Sequence, residues 1–236
     1  MSLQTSPGPT GNHLLDRLPR GEVDRLLSSL ETVSMPLGSE IVHQDRLLSH
    51  VLFPTSGMVS LVVLMEDGRT AEASTIGREG MVGINAILAP DSNPATATSQ
   101  VAGKALRIPV SGFLEEMARS GALNRLVRRY AAYTLRYANQ TVACNLLHSV
   151  EERMCRWLLM THDRAGTDEF PLTHELISEM LGVRRQTVTV IAGELQARGL
   201  IQYRRGVIRI LDREGLEAGS CECYSALRDA YNRIVQ

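Results

Sequence analysis

Four hydrogen-bonding side chains stand in a row at Arg184-Arg185-Gln186-Thr187, and Thr189 follows close behind. Arginine pairs bidentately with guanine and glutamine with adenine in the major groove, while short hydroxyls suit phosphate oxygens. A second basic pair stands in Tyr203-Arg204-Arg205-Gly206, between two short apolar runs. Arg204 and Arg205 are placed there to meet a phosphate backbone. The chemistry implied is recognition of double-stranded DNA.

That chemistry needs a scaffold, and the flanking residues supply its signals. Thr173 can N-cap a helix over 175–181, with Leu176, Ile177, Met180 and Leu181 on one side. Gly182-Val183 makes a tight turn. A second helix over 184–198 turns Val188, Ile191, Ala192 and Leu195 inward, and Gly199 stops it at the position after the C-cap. Residues 200–202 and 207–211 read as two strands joined by the basic turn. Two short helices and a hairpin make a winged helix-turn-helix, whose second helix offers its polar N-terminal end to base edges. A plain helical hairpin with solvated arginines would leave the clustering of donors at one helix start and one hairpin tip unexplained.

Upstream the texture changes. Apolar residues at helical spacing mark a short helix near 22–30. Short apolar or alternating runs then follow at 40–42, 51–53, 58–65, 70–76 and 99–108, separated by glycines, with Asp67-Gly68 a strong hairpin signal. Many short strands with regular turns predict a small antiparallel barrel or sandwich. A short helix over 112–119 ends near Ser120-Gly121. Along the long helix that follows, Leu126, Tyr130, Tyr133, Tyr137, Gln140, Cys144 and Leu147 alternate spacings of four and three. Such a seam demands a partner helix, and the expectation is a homodimer, with packing on the chain's own barrel as the alternative. Arg125, Arg128, Arg129 and Arg136 flank it as a solvated face. The fold class expected is α+β: an N-terminal tail (1–20), a cupin-like antiparallel β-roll (21–118), a dimerisation helix (119–149) and a winged helix-turn-helix domain (150–236). The last helix is expected over 213–234, and a hinge near 148–152.

The composition, 44% hydrophobic and 22% charged, allows an ordinary core. The net charge of −1 divides unevenly: 8 basic against 13 acidic residues over 1–118, and 17 against 13 over 119–236. The second half is the one drawn to polyphosphate. No apolar run is long enough to span a bilayer, and the polar N-terminus does not read as a signal peptide. With no export signal, Cys144, Cys155, Cys221 and Cys223 are expected to be reduced thiols in a cytoplasm. No Ser/His/Asp set, Walker A loop or GxGxxG occurs, and His43 and His50 lack the His-x-His spacing of a cupin metal site, so no enzyme is expected. A protein-interaction module with a vestigial helix-turn-helix is the remaining alternative, distinguished by the absence of a steep salt slope on DNA.

Taken together, the glycine-punctuated strands, the long helix and the segment LTHELISEMLGVRRQTVTVIAGELQARGLIQYRRGVIRILD resemble the Crp/Fnr superfamily of bacterial regulators over nearly the whole chain. The resemblance implies that Arg185 and Gln186 read bases, with Thr189 or Val190 next to them. It further implies that Thr173 and Thr187 touch phosphate, alongside Arg184. RNA polymerase is an implied partner if the protein activates. The resemblance fails at the effector. Cyclic-nucleotide binders of the family carry a Gly-Glu pair and, about ten residues later, an Arg-Ser/Thr. Here Ile84 follows Gly83, and no arginine stands near Pro94-Ala95. A cyclic phosphate would be buried unpaired, so cyclic AMP is not expected. An Fnr-type iron–sulfur site needs four thiolates, usually several of them near the N-terminus, and the first cysteine is Cys144. Cys221 and Cys223 are expected to be free thiols. His43, His50 and His148 are not expected to ligate haem, and no metal or cofactor is expected. A pocket beneath residues 77–89 is the place for an unnamed effector, with Arg78 and Glu79 facing water.

Overall fold

In the computed structural model, residues 10–89, 91, 93–119 and 121–235 are described. The first nine residues of the expected tail and Ser120 of the expected helix break lie outside them.

Residues 10–20 do not form a tail. Leu14, Leu15 and Leu18 are buried, and a 3-10 turn spans Leu15–Arg17. Asn12 ties the segment down: its Nδ2 donates to the Pro54 carbonyl at 2.8 Å and the Gly80 carbonyl at 2.9 Å. Its Oδ1 accepts from the amides of Leu14 and Leu15. Composition suggested fraying, but three buried leucines and one fully bonded asparagine outweigh it.

Helix α1 (Arg20–Leu27) leads into strands β1 (Glu31–Met35), β2 (Glu40–Val42), β3 (His50–Leu64), β4 (Thr70–Ile76) and β5 (Thr96–Pro109). All pairings are antiparallel, in the order β1-β5-β3-β4, with β2 also on β5. The runs expected as two strands at 51–53 and 58–65 are one bent strand. Its register against β5 shifts between Pro54 and Val59, so Pro54 and Gly57 mark a bulge rather than a turn. At the bend the backbones nearly touch: a Cβ on Gly57 would lie 2.5 Å from the Val101 carbonyl oxygen, and one on Gly103 2.1 Å from that of Ser56. Only glycine fits either place. Val51, Phe53, Met58, Val59 and Ile108 fill the interior of the roll, and Phe53 packs on Phe113 with ring centroids 6.2 Å apart.

Phe113 belongs to α2 (Val110–Arg119), which precedes the long α3 (Gly121–Leu147). A capping box at Ser149 and Glu152 then starts α4 (Val150–Ala165), so the chain breaks within the expected hinge. Strand β6 (Glu169–Pro171) was not foreseen; it pairs with β8. Next come α5 (His174–Leu181), α6 (Arg185–Ala197), β7 (Ile201–Arg204) and β8 (Val207–Ile210). The expected single last helix is two, α7 (Arg213–Gly219) and α8 (Cys223–Val235), separated by a turn at Ser220.

The tyrosine stripe of α3 is the principal correction. Leu126, Tyr130, Tyr133, Tyr137 and Cys144 are all buried within their own chain. Tyr133 meets Tyr231 of α8 edge-on at 5.2 Å, and Tyr137 Oη lies 3.3 Å from Thr75 Oγ1 of β4. Leu147 and Gln140 depart from the buried set: Leu147 is 78% exposed, and Gln140 is half-buried. The heptad spacing correctly marked a buried stripe, but the partner is the β-roll and α8. A different face of α3, carrying Leu135, Val142 and Leu146, is exposed.

Candidate nucleic-acid interface

Both helices of the helix-turn-helix, α5 and α6, are bounded by the residues that the sequence suggests. Thr173 Oγ1 accepts from the Leu176 amide at 3.2 Å, and Gly182 ends α5 in the left-handed conformation at φ +64°. Arg184 is the N-cap of α6, so Arg185 and Gln186 open the helix, where backbone N–H groups are unpaired and the dipole is positive. Arg184, Arg185, Gln186 and Thr189 are exposed, Thr187 is half-buried, and Val188, Ile191, Ala192 and Leu195 are buried. The amphipathic split leaves the donors in water.

The wing joins this face. Arg204 and Arg205 are exposed at the β7–β8 turn, where Arg205 adopts φ +52°. The Leu172 amide donates to the Gly206 carbonyl at 2.8 Å, which sets the wing beside Thr173. His174, which sequence reasoning passed over, binds the three elements together. Its ring stacks on Tyr203 at 4.1 Å, and its Nδ1 lies 3.0 Å from Thr189 Oγ1. Thr189 Oγ1 also donates to the Arg185 carbonyl at 3.1 Å, so its hydroxyl is occupied within the chain. Burial, with Arg185 nearby, holds His174 below the ordinary histidine value. A histidine immediately after an N-cap threonine, with a tyrosine in the wing, was the available signal.

Behind this module lies the β-roll. A cavity of about 70 Å³ sits beneath residues 77–89, between β4 and α3. Its polar lining includes Thr75, Asn85, Asn93, Tyr133, Thr134 and Tyr137, and no charged side chain lines it among the described residues. As it stands, the cavity has room for a few water molecules. Of the pair expected to face water, Glu79 does not. Its Oε1 accepts from the buried Arg164 Nε of α4 at 2.8 Å, with the Glu79 side chain itself only 13% exposed, and its carbonyl accepts from Tyr231 Oη at 2.7 Å. Arg78 is half-buried. A second junction joins β4 to α4, where Glu72 accepts from Ser60 Oγ at 2.6 Å and from Trp157 Nε1 at 2.8 Å. Burial, incompletely offset by those two hydrogen bonds, pushes the Glu72 carboxyl up to about 7. α5 rests on β4 as well.

The cysteines are not scattered. Cys144, Cys221 and Cys223 are buried together, and His148 joins them. Cys155 stands apart on α4, its thiol pushed up to about 11 by burial.

Comparison with known proteins matches this architecture part by part. Residues 32–120 fit the cyclic nucleotide-binding domain, and residues 152–218 fit the Crp-like helix-turn-helix domain. A CRP-like cAMP-activated global transcriptional regulator of Mycobacterium tuberculosis is 25% identical over 198 residues, covering 81% of this chain and 88% of the relative. A cyclic nucleotide-binding domain followed by a Crp-like helix-turn-helix domain makes the chain a Crp-like transcription regulator. Two solved structures show the same fold. One is FixK2 from Bradyrhizobium japonicum, with a TM-score of 0.70 at 19% identity over 81% of this chain and 98% of that one. The other is a Crp/Fnr-family regulator from Eubacterium rectale, with a TM-score of 0.67 at 22% identity over 88% and 97%. Here the cyclic nucleotide-binding domain is present as a fold, while the pocket's described lining holds neither a carboxylate to accept from a ribose hydroxyl nor an arginine to meet a cyclic phosphate. No helix of the described residues is long and apolar enough to cross a membrane.

Proposed function

We propose that this regulator binds a pseudo-palindromic DNA site as a homodimer in the cytoplasm. Arg185 and Gln186 read base edges in the major groove, while Thr173, Arg184, Thr187, Arg204 and Arg205 engage phosphates. The observation that carries this reading is the convergence, through His174, of three exposed polar elements: the start of α6, the N-cap of α5 and the wing. Thr189 contributes by fixing that geometry more than by offering its hydroxyl to a base.

Dimerisation runs along the outward face of α3. Ala131, Leu135, Ala138 and Val142 alternate spacings of four and three, and Leu146 continues the stripe. Leu135, Val142 and Leu146 are 66%, 62% and 79% exposed, and water is a poor partner for three large aliphatic side chains on one helix face. A two-fold axis there delivers two copies of α6 to successive major grooves, about 34 Å apart. A dimer so placed on a promoter presents its remaining surface to RNA polymerase when it activates. The M. tuberculosis relative is cAMP-activated. For this chain the uncharged pocket favours a small neutral effector, or none.

Selection from random duplex DNA without added ligand, followed by titration of the winner at two salt concentrations, tests the reading. A two-fold symmetric motif with a steep salt slope is expected. Failure to enrich any motif, both without and with cell metabolites, would refute it. Leu135→Asp with Val142→Asp should give a monomer in sedimentation and abolish tight operator binding.

A further inference from the structure

Cys144 occupies the last turn of α3, and His148 lies four residues on, just past the helix end. Cys221 sits in the turn between α7 and α8, and Cys223 opens α8. Their ligand atoms, three Sγ and one imidazole nitrogen, all lie within 4.8 Å of one another. Cys144 Sγ and Cys221 Sγ are 3.5 Å apart, and Cys223 Sγ is 3.6 Å from His148 Nδ1. A tetrahedral ion with metal–sulfur bonds of about 2.3 Å holds its sulfurs about 3.8 Å apart. The four atoms therefore already approximate the corners of one coordination shell.

The surroundings are those of a ligand set. His148 Nε2 pairs with Glu222 Oε2 at 3.0 Å, which turns Nδ1 toward the sulfurs, as the outer carboxylate of a metal-bound histidine does. Gln140 Nε2 donates to Cys223 Sγ at 3.1 Å, a contact that a thiolate accepts better than a thiol. Arg153 and Arg156, both buried, lie within electrostatic reach of Cys144 and Cys221. Three thiolates, one neutral imidazole and a divalent ion sum to a single negative charge, which those guanidiniums offset. The three cysteines are at most 3% exposed, and His148 forms the solvent side.

We propose that Cys144, His148, Cys221 and Cys223 bind one zinc ion in a closed, structural site. The ion replaces three thiol protons, which pass to solvent, and takes the lone pair of His148 Nδ1. Sulfur and imidazole ligands select a borderline ion over calcium or magnesium, which require oxygen. An iron–sulfur cluster would place its cysteines on separate irons, which atoms converging on one point do not provide. The site clips the end of α3, beside the hinge, to the start of α8. It is independent of the DNA-binding reading, because its readout is metal.

The test uses the intact chain, prepared under reducing, anaerobic conditions. One zinc per chain by elemental mass spectrometry is expected. Cobalt added to the chelated protein should give the intense visible bands and thiolate charge-transfer band of a tetrahedral sulfur-rich site. The metal should shield Cys144, Cys221 and Cys223 from alkylation until a chelator is added. Cys155→Ser should keep the metal. Cys223→Ser should weaken cobalt binding by more than the roughly 10–100-fold that loss of an outer-shell partner costs. An intact, reduced chain that takes up no cobalt with tetrahedral bands would overturn the proposal. So would a Cys144–Cys221 disulfide that, once reduced, leaves a chain that still binds no metal. Folding failure in a variant leaves the measurement on the intact chain decisive.

Discussion

The outward face of α6 and the junction between the β-roll and α4 are built from the same kinds of side chain and use them in opposite ways. At the first, Arg184, Arg185, Arg204 and Arg205 stand in water; Arg185 has only a loose contact with Glu175 at 3.7 Å. At the second, Arg164 is buried against Glu79 at 2.8 Å. An exposed arginine costs little to hold and remains free for an anion from outside. A buried one is committed, because removing its partner leaves a charge out of water with nothing to answer it. Substitutions at the junction should therefore register as stability, and those at the helix face as binding.

The sharpest way to break that comparison is Arg164→Ala. It strands Glu79, and chemical denaturation should show a loss of about 3–5 kcal/mol. A variant as stable as the parent would mean that the junction is not committed. Arg185→Ala should do the reverse. Stability should stay within about 0.5 kcal/mol, while affinity for the selected site should fall by about 1–3 kcal/mol with relaxed preference at one base position.

Glu72 refines the junction, because its partners are a hydroxyl and an indole rather than a guanidinium. Its folded-state value near 7 exceeds the ordinary 4.5, so the native state holds a proton that the unfolded chain has released between those values. Stability from this group is thus complete below about pH 4.5 and declines as pH rises through 7. Glu72→Gln should flatten that decline and stabilise the chain at pH 8 by on the order of 1–2 kcal/mol, read from denaturation at two pH values. The smallest effect is expected at the wing. Arg205→Ala should weaken all sequences alike and lower the salt slope by about one phosphate contact. Selective loss at one sequence would move Arg205 to the reading face.

What could be read in advance followed from how local each signal is. The ends of α5 and α6 carry their own markers in Thr173, Gly182 and Gly199, and the structure uses each where it stands. β1 escaped because, at a sheet edge, only Met35 of its five residues is buried, so no alternation marks it. β6, three residues ending in proline, is defined by its pairing with β8 and by nothing within itself. The tyrosines of α3 announce a buried stripe, but spacing cannot say whether a second chain or Tyr231 covers it. The cysteine–histidine group draws on residues up to 79 positions apart, from Cys144 to Cys223, and a distance of that kind becomes visible only after folding.

The length of α3 carries a mechanical consequence. Tyr133 and Tyr137 border the cavity of the β-roll, and the same helix ends at Leu147, beside the break that starts α4. Fourteen residues of helix from Tyr133 onward make a rigid arm of about 21 Å. A swing of about 5° at the tyrosines would carry its tip sideways by roughly 2 Å, enough to exchange one side-chain packing for another. An occupant of the cavity that swung the helix would act on the far module with that leverage.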